Sequence, residues 1–570
     1  MKRLKKDIQK EYRICVRNSW KKKAKDKKSN NELNWNFFKR FKNEDIKIPE
    51  NLTSNVFAER FQELSHDYNR IPKNHKNQVR KITNFKFQYK INCHDKIYSK
   101  NVHDIIMKCK NSANSSGWDE VNLNFLRTLP IEMHEMIAYL LGCCIKSGCY
   151  HESFRNIKSM PVFKKGNPND VKNWRPISVA NWACNLLEKI MCLQMTDFWE
   201  KKGLLNWRQF GFRKHHSVGQ LINCLKKDFY NRGQKYGMIL MTDLSNAFGS
   251  ADTWIIIERM RPFMNNSALK LLRSFLIQAE VRVKLGENIS KPFFNADRGY
   301  SQGSNLSTFL FIILMSLSHN QPDNTEGYSF ADDKSILITS NDLETFIGRA
   351  NRALGSFHRF CKDHNIKLNC GKTFYTLVGK FSQSEITKVK VETDGNLIKR
   401  TETMNCLGIE IDKNLDEKVN FKNIERSINN KLRYIIPFSK FCDIYFTTNM
   451  VKSFCLGKFQ HGIAYQELRK SHEYNPLNNK IFEFLRLKNA TLREKQNETY
   501  KRLPQYEVYK RSHMTSFINV HRMAQMSRLN KILLELEPKW EVIQVLKCLS
   551  KNTLNNWRNS RTGIKFINRN

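Results

Sequence analysis

The sequence has no CxxC pair and no Cys/His cluster with zinc-ligand spacing. Its fifteen cysteines are an odd number scattered mostly singly, which suits reduced intracellular thiols buried for packing rather than a disulfide framework or a metal centre. The longest apolar run is Phe309–Met315, far short of the roughly 20 residues a membrane span needs. The N-terminal MKRLKKDIQKEYRICV lacks the apolar core of a secretory signal, so the expectation is an unsecreted protein of the nucleus or cytoplasm. No aspartate follows Asp443, which leaves an RNase H-type nuclease, built on clustered acidic residues, no place there. Acidic residues are scarce: 54 against 97 Lys and Arg, a net charge of +43 over 570 residues. Such self-repulsion points to a polyanionic partner, nucleic acid before an anionic membrane surface.

What is present is a folding, multidomain chain, since 40% of its residues are apolar. Residues 1–50 carry 17 basic against 7 acidic residues, including KKKAKDKK at 21–28, the composition of a nucleic-acid arm, a nuclear-import signal or a solvated tail. NSANSSGWDE (111–120) reads as a loop. Between about 155 and 415, short apolar strands alternate with helical patterns: GMILMTDL (237–244), VRVKL (281–285) and SILIT (335–339) are strands, which indicates an α+β or α/β domain. Phe421, Ile424, Ile428, Leu432 and Ile435 form the apolar stripe of a helix whose other face holds Lys422, Arg426, Lys431 and Arg433. Residues 471–570 read as helical and basic, with 19 Lys and Arg against 8 Glu.

Three aspartates stand out. Asp243 ends the strand MILMT, and Asp332-Asp333 sits between Tyr328–Phe330 and SILIT, so a hairpin carries paired carboxylates at its turn. With the two strands adjacent, three carboxylates meet. Such a gathering is costly unless a cation neutralises it. Hard oxygen ligands select Mg²⁺, and a pair of such ions serves phosphoryl transfer.

In order, the chain reads FRNIKSMPVFKKGNPNDVKNWRPISV (154–179), QFGFRKHHSV (209–218), MTDLSNAF (241–248), RGYSQGSNLSTFLF (298–311), YSFADD (328–333), NIKLNCGKT (365–373) and CLGIEID (406–412). This series resembles the reverse-transcriptase blocks of non-LTR, LINE-like retrotransposons. The stretch Ser112–Pro130 resembles the lead-in to that domain.

The resemblance implies an α+β right-hand polymerase fold: fingers, a palm with an antiparallel sheet, a thumb, and helical basic extensions. The expected division is a basic, mostly helical extension (1–100), lead-in and fingers (101–235), palm (236–415), thumb (416–480) and a basic helical extension (481–570). Asp243, Asp332 and Asp333 match the catalytic carboxylates, and with the backbone carbonyl of Leu244 they would hold two Mg²⁺ ions, Mn²⁺ being a substitute. Lys164 and Arg175 match the basic residues that hold an incoming triphosphate, a task that suits the planar guanidinium fork. Phe248 matches the aromatic gate that rejects a ribose 2′-OH. Arg298, Gly299, Gln302 and Gly303 match the block against template and nucleotide, and Lys372, in the Asn369 block, matches a proton donor to the departing pyrophosphate. Cys406-Leu407-Gly408 matches the primer grip.

Departures from the family wording are Phe248-Gly249-Ser250 in place of a final aspartate, Tyr300-Ser301 before Gln302, and Asn305–Thr308 after QGS. The implied function is RNA-directed DNA synthesis on a primer 3′-OH, with dNTPs, RNA template and primer–template duplex as partners and nicks from a separate endonuclease. The alternatives are a non-catalytic RNA-binding protein on a polymerase scaffold and a group II intron maturase-like enzyme.

Overall fold

A computed structural model describes residues 48–65, 99–108, 116–151, 154–214, 216–277, 280–294, 303–319, 325–415, 418–439, 448, 450–461, 493–496, 499–502, 520 and 523–525. The lysine-rich run at 21–28 lies outside them, as do Arg298, Gly299 and Gln302. The chain divides into two compact units, one of residues 46–216 and 227–401, the other of 1–45, 217–226 and 402–570.

The larger unit opens with helix α1 (Ser54–Ser65). β1 (Asn156–Phe163) follows, pairing antiparallel with β2 (Trp174–Ala180). Helix α2 (Trp182–Lys201) comes next. The centre is β3 (Tyr236–Thr242), buried at every residue. It lies in a five-stranded sheet with β6 (Thr325–Phe330), β7 (Asp333–Ser340), β9 (Phe374–Gly379) and β10 (Lys399–Arg400), in the order β10-β9-β3-β7-β6. Intervening pieces are β4 (Leu244–Ser245), the short helical turn α3 (Ala247–Ser250), β5 (Glu280–Leu285), helix α4 (Asn305–Ser316), helix α5 (Leu343–Asp363) and β8 (Lys367–Leu368). β5 runs parallel to β1, and β8 pairs antiparallel with β4.

A strand apolar on both faces must be covered on both, and the helices supply the cover. α5 buries Phe346, Ala350, Leu354, Phe357 and Cys361, a helical stripe, and Asp342 caps its first turn by accepting from the Thr345 N–H at 2.8 Å. α4 is apolar over most of its surface and accordingly buried from Leu306 to Met315, except at Thr308, which lines a cleft. The longest apolar run of the sequence is thus a core helix. Among the described residues no helix is long and apolar enough to cross a membrane.

In the other unit, β11 (Thr403–Cys406) and β12 (Ile409–Asp412) form a hairpin around Leu407-Gly408. Helix α6 (Lys418–Ser439) buries Phe421, Ile424, Ile428 and Leu432, the stripe read from the sequence. One stretch expected to be helical is not. Arg493–Gln496 pairs with Thr499–Arg502 as a β-hairpin, where Thr499 and Tyr500 favour a pleated strand.

Candidate active site

The β3 ladder sets the geometry. Thr242 pairs with Lys334, so one step further Asp243 stands across from Asp333 at the mouth of the sheet. β6 and β7 close on each other at Phe330 and Asp333, leaving Ala331-Asp332 as a two-residue turn. Ala331 takes a left-handed conformation there, at φ 60°. The turn is held from outside by the QFGF block. The Gln209 side-chain oxygen accepts from the Ala331 N–H at 3.1 Å and from the Gly211 N–H at 2.9 Å. The Phe210 N–H donates to the Ser329 carbonyl at 2.7 Å, and the Ser329 N–H to the Arg208 carbonyl at 2.9 Å. Gly211 is required by closeness: a Cβ on it would stand 2.2 Å from the Ala331 nitrogen.

Asp243 is fixed from the other side by the Asn369 block. The Asn369 N–H donates to the Asp243 carbonyl at 2.8 Å, and the Asp243 N–H donates to the Thr373 hydroxyl at 3.3 Å. The Lys372 and Thr373 N–H groups both fold back on the Asn369 carbonyl. This tight turn brings the Lys372 ammonium to 3.8 Å from Asp243 Oδ2.

Asp243 and Asp332 line one cleft of about 640 Å³. Lys164, Arg175 and Lys372 line it too, with Leu244, Phe248, Gly303 and Asn369. Arg175 pairs in register with Val162, and the Lys164 N–H donates to the Asn173 carbonyl at 2.8 Å, so the β1–β2 hairpin carries both cations. Burial first, then repulsion from Arg175, Lys372 and Lys165, lowers the Lys164 pKa, while Asp243 opposes the shift. Burial pushes Asp332 above the ordinary carboxylate range; its own backbone N–H, Arg175 and Lys164 pull it back, and Asp243 pushes it further up. Asp333 rises to about 6, through burial and then through Asp332 and Asp243.

The three aspartates act on one another, since Asp332 and Asp243 both raise the Asp333 pKa. Asp333, the first residue of β7, is not among the residues lining the cleft. Among the described residues no three His, Cys, Asp or Glu side chains stand as a ready metal cluster. The donor chemistry of the cleft fits a hard divalent cation: two carboxylates that repel each other, beside Leu244.

The Phe248 ring lies in the same cleft, stacked on Phe311 of α4 with centroids 4.5 Å apart and planes at 25°. Phe212 approaches it edge-on at 6.3 Å. Gly303 also lines the cleft, at φ 120°, and a Cβ there would meet the Ser178 carbonyl at 2.3 Å. Gln302 falls outside the described residues. Three contributors escaped the sequence reading. Arg60 and Leu64 enter the cleft from α1, in a stretch expected only to be part of a basic, mostly helical extension. Gln209 lay within a recognised block but carried no charge or spacing to announce its role.

A central sheet, antiparallel except at its short edge strand β10, with an acidic hairpin turn beside an aspartate-ended strand defines the palm of a right-hand nucleic-acid polymerase. Residues 162–411 match the family described as "Reverse transcriptase (RNA-dependent DNA polymerase)" and form a domain of that family, of the non-LTR type indicated by the sequence blocks. The chain is 22% identical over 311 residues to "Probable RNA-directed DNA polymerase from transposon BS" of Drosophila melanogaster, covering 53% of this chain and 34% of that protein. It is 21% identical over 390 residues to "RNA-directed DNA polymerase from mobile element jockey" of Drosophila funebris, covering 66% and 41%. The chain thus spans about two fifths or less of these relatives' lengths. Among solved structures, a C-terminally truncated apo telomerase from Candida tropicalis matches 47% of this chain and 55% of its own, at 13% identity and a TM-score of 0.33.

Proposed function

We propose that the chain is an RNA-directed DNA polymerase that adds dNTPs to a primer 3′-OH. The observation carrying this reading is that Asp243, at the end of β3, and Asp332, in the β6–β7 turn, line one cleft together with Lys164, Arg175 and Lys372. Asp243, Asp332 and the Leu244 carbonyl would hold divalent cations, Mg²⁺ or Mn²⁺, with Asp333 beside them. Bound there, a pair of such ions supplies charge neutralisation and lowers the pKa of an attacking hydroxyl.

The chain's own residues do the rest. Arg175 and Lys164 meet the triphosphate, and an anion between them relieves the repulsion that lowers Lys164. Phe248 occupies the sugar's side of the cleft, where its ring leaves no room for a 2′-OH. The Lys372 ammonium, held beside Asp243, is placed to give a proton to the departing pyrophosphate. Partners under this reading are an RNA template, the primer–template duplex and dNTPs, with nicks from a separate endonuclease. The finer division into fingers, palm at 236–415 and thumb at 416–480 belongs to the same proposal.

The test is extension of oligo(dT) on poly(rA) by the purified chain with dTTP and Mg²⁺. Extension that disappears in Asp332→Asn supports the proposal. RNA binding by the wild-type chain with no extension overturns it in favour of a binding scaffold.

A further inference from the structure

Helix α4 carries two buried ionisable side chains at its ends, and neither lines the cleft. At the N-terminus, Glu188 of α2 is 0% exposed. Its Oε2 accepts from the Ser304 hydroxyl at 2.6 Å and from the Asn305 N–H at 3.0 Å. Its Oε1 accepts from the Cys184 thiol at 3.3 Å. At the C-terminal end, Lys334 of β7 is likewise 0% exposed. Its Nζ donates to the Ser318 hydroxyl at 2.8 Å and also to the Ser318 carbonyl, in the single 3₁₀ turn Leu317–His319 that continues α4. The Lys334 ammonium also lies 4.9 Å from the centroid of the Phe357 ring.

Burying a carboxyl and an amine is costly, and apolar residues of similar volume would pack such sites with less penalty. What these two groups provide is direction. A carboxyl belongs at a helix N-terminus and an amine at its C-terminus, where the macrodipole and the unpaired backbone groups favour each. Between them, α4 is a fixed beam of twelve residues. Its Phe311 is the ring on which Phe248 stacks. The beam's near end adjoins Gly303 of the cleft, and its far end is tied to the residue that follows Asp332-Asp333.

We propose that Glu188 and Lys334 are positioning residues that clamp the two ends of α4 and so set the height of the Phe248 ring over the cleft. The proposal rests on Phe248 acting as the sugar gate. The hydrogen bonds at both ends persist whether or not each group is charged, since Oε2 accepts and Nζ donates in either state.

The test uses the full chain on poly(rA)–oligo(dT), with dTTP and UTP compared as kcat/KM, and Phe248→Ala as the gate control. Glu188→Ala and Lys334→Met should each lower the preference for dTTP by about tenfold, mostly through KM. That is less than the roughly hundredfold cost of a 1 Å misplacement at the reacting centre. Glu188→Gln, which keeps an acceptor oxygen, should restore most of the preference. A lower melting temperature with the dTTP preference unchanged would assign both residues to packing alone and overturn the proposal.

A second arm needs no activity. Hydrogen–deuterium exchange should show the amides of Ala247–Ser250 exchanging about tenfold faster in the clamp variants. Protection unchanged there, with loss confined to Ser304–Leu306 or Leu317–His319, would also overturn it. If a clamp variant fails to fold, Ser318→Ala removes the hydroxyl's contacts to Lys334 and to the Met315 carbonyl while leaving the Lys334 contact to the Ser318 carbonyl, and is read the same way. If Phe248→Ala leaves the preference unaltered, the gate reading fails and the exchange arm alone decides the clamp.

Discussion

Gly211→Ala tests how the acidic turn is held. The new methyl would stand 2.2 Å from the Ala331 nitrogen, 2.8 Å from the Phe330 carbonyl carbon and 3.0 Å from the Ala331 Cα. All three are backbone atoms and cannot rotate aside. Ordinary contact begins near 3.4 Å, so the Ala331-Asp332 turn must move by about 1.2 Å or the QFGF segment must retreat by as much. The first shift displaces the Asp332 carboxylate relative to Asp243, and the second loosens the Gln209 contact that holds the turn. A misplacement of about 1 Å at a reacting centre costs roughly hundredfold in rate, equivalent to about 2.7 kcal/mol of transition-state stabilisation. The assay is single-turnover addition of one dTTP to a primer on poly(rA), with duplex affinity measured separately. Addition should fall about hundredfold while affinity for the duplex changes less than threefold. A rate within about threefold of wild type would mean that the turn's position is not what Gly211 protects.

Gln209→Leu removes the acceptor shared by Ala331 and Gly211 and leaves two backbone N–H groups unpaired. Each costs about 1–3 kcal/mol when buried, so urea unfolding should shift by a few kcal/mol; an unchanged midpoint would refute the contact's importance. Glu188 gives a pH signature. Burial is the main cause of its carboxyl standing at about 7 rather than 4.5. The folded chain therefore binds more protons than the unfolded one between those values. Its contribution is fully present below about pH 4.5 and is lost as pH rises through about 7, a change of about 3 kcal/mol. Glu188→Gln should flatten that part of the stability–pH curve. Parallel curves for the two chains between pH 5 and 8 would contradict the assignment.

The strands were legible because β3 and β7 are short apolar runs that end in acid, and the stripe of α6 was legible from its spacing. Asp243, Asp332, Lys164, Arg175 and Phe248 were placed by their blocks, and the fold brings them to one cleft. That Asp332 and not Asp333 lines the cleft was not legible, since two adjacent aspartates read alike in the sequence. Nor was Glu188, an acid within the apolar NLLEKIM run, whose partners Ser304 and Asn305 lie more than a hundred residues away. Arg60 enters the cleft from still further along the chain. The pairing of Arg493–Gln496 with Thr499–Arg502 escaped because basic and polar residues carry little period of either kind.

The central claim is that Asp243 and Asp332 share one cation site on which nucleotide addition depends. Electron paramagnetic resonance of Mn²⁺ titrated into the full chain, bound to a primer–template with a chain-terminated primer and dTTP, reads that site directly. The account predicts tightly bound Mn²⁺ in the wild-type chain and its loss in both Asp243→Asn and Asp332→Asn. Equal Mn²⁺ occupancy in the wild type and in the double substitution would contradict it.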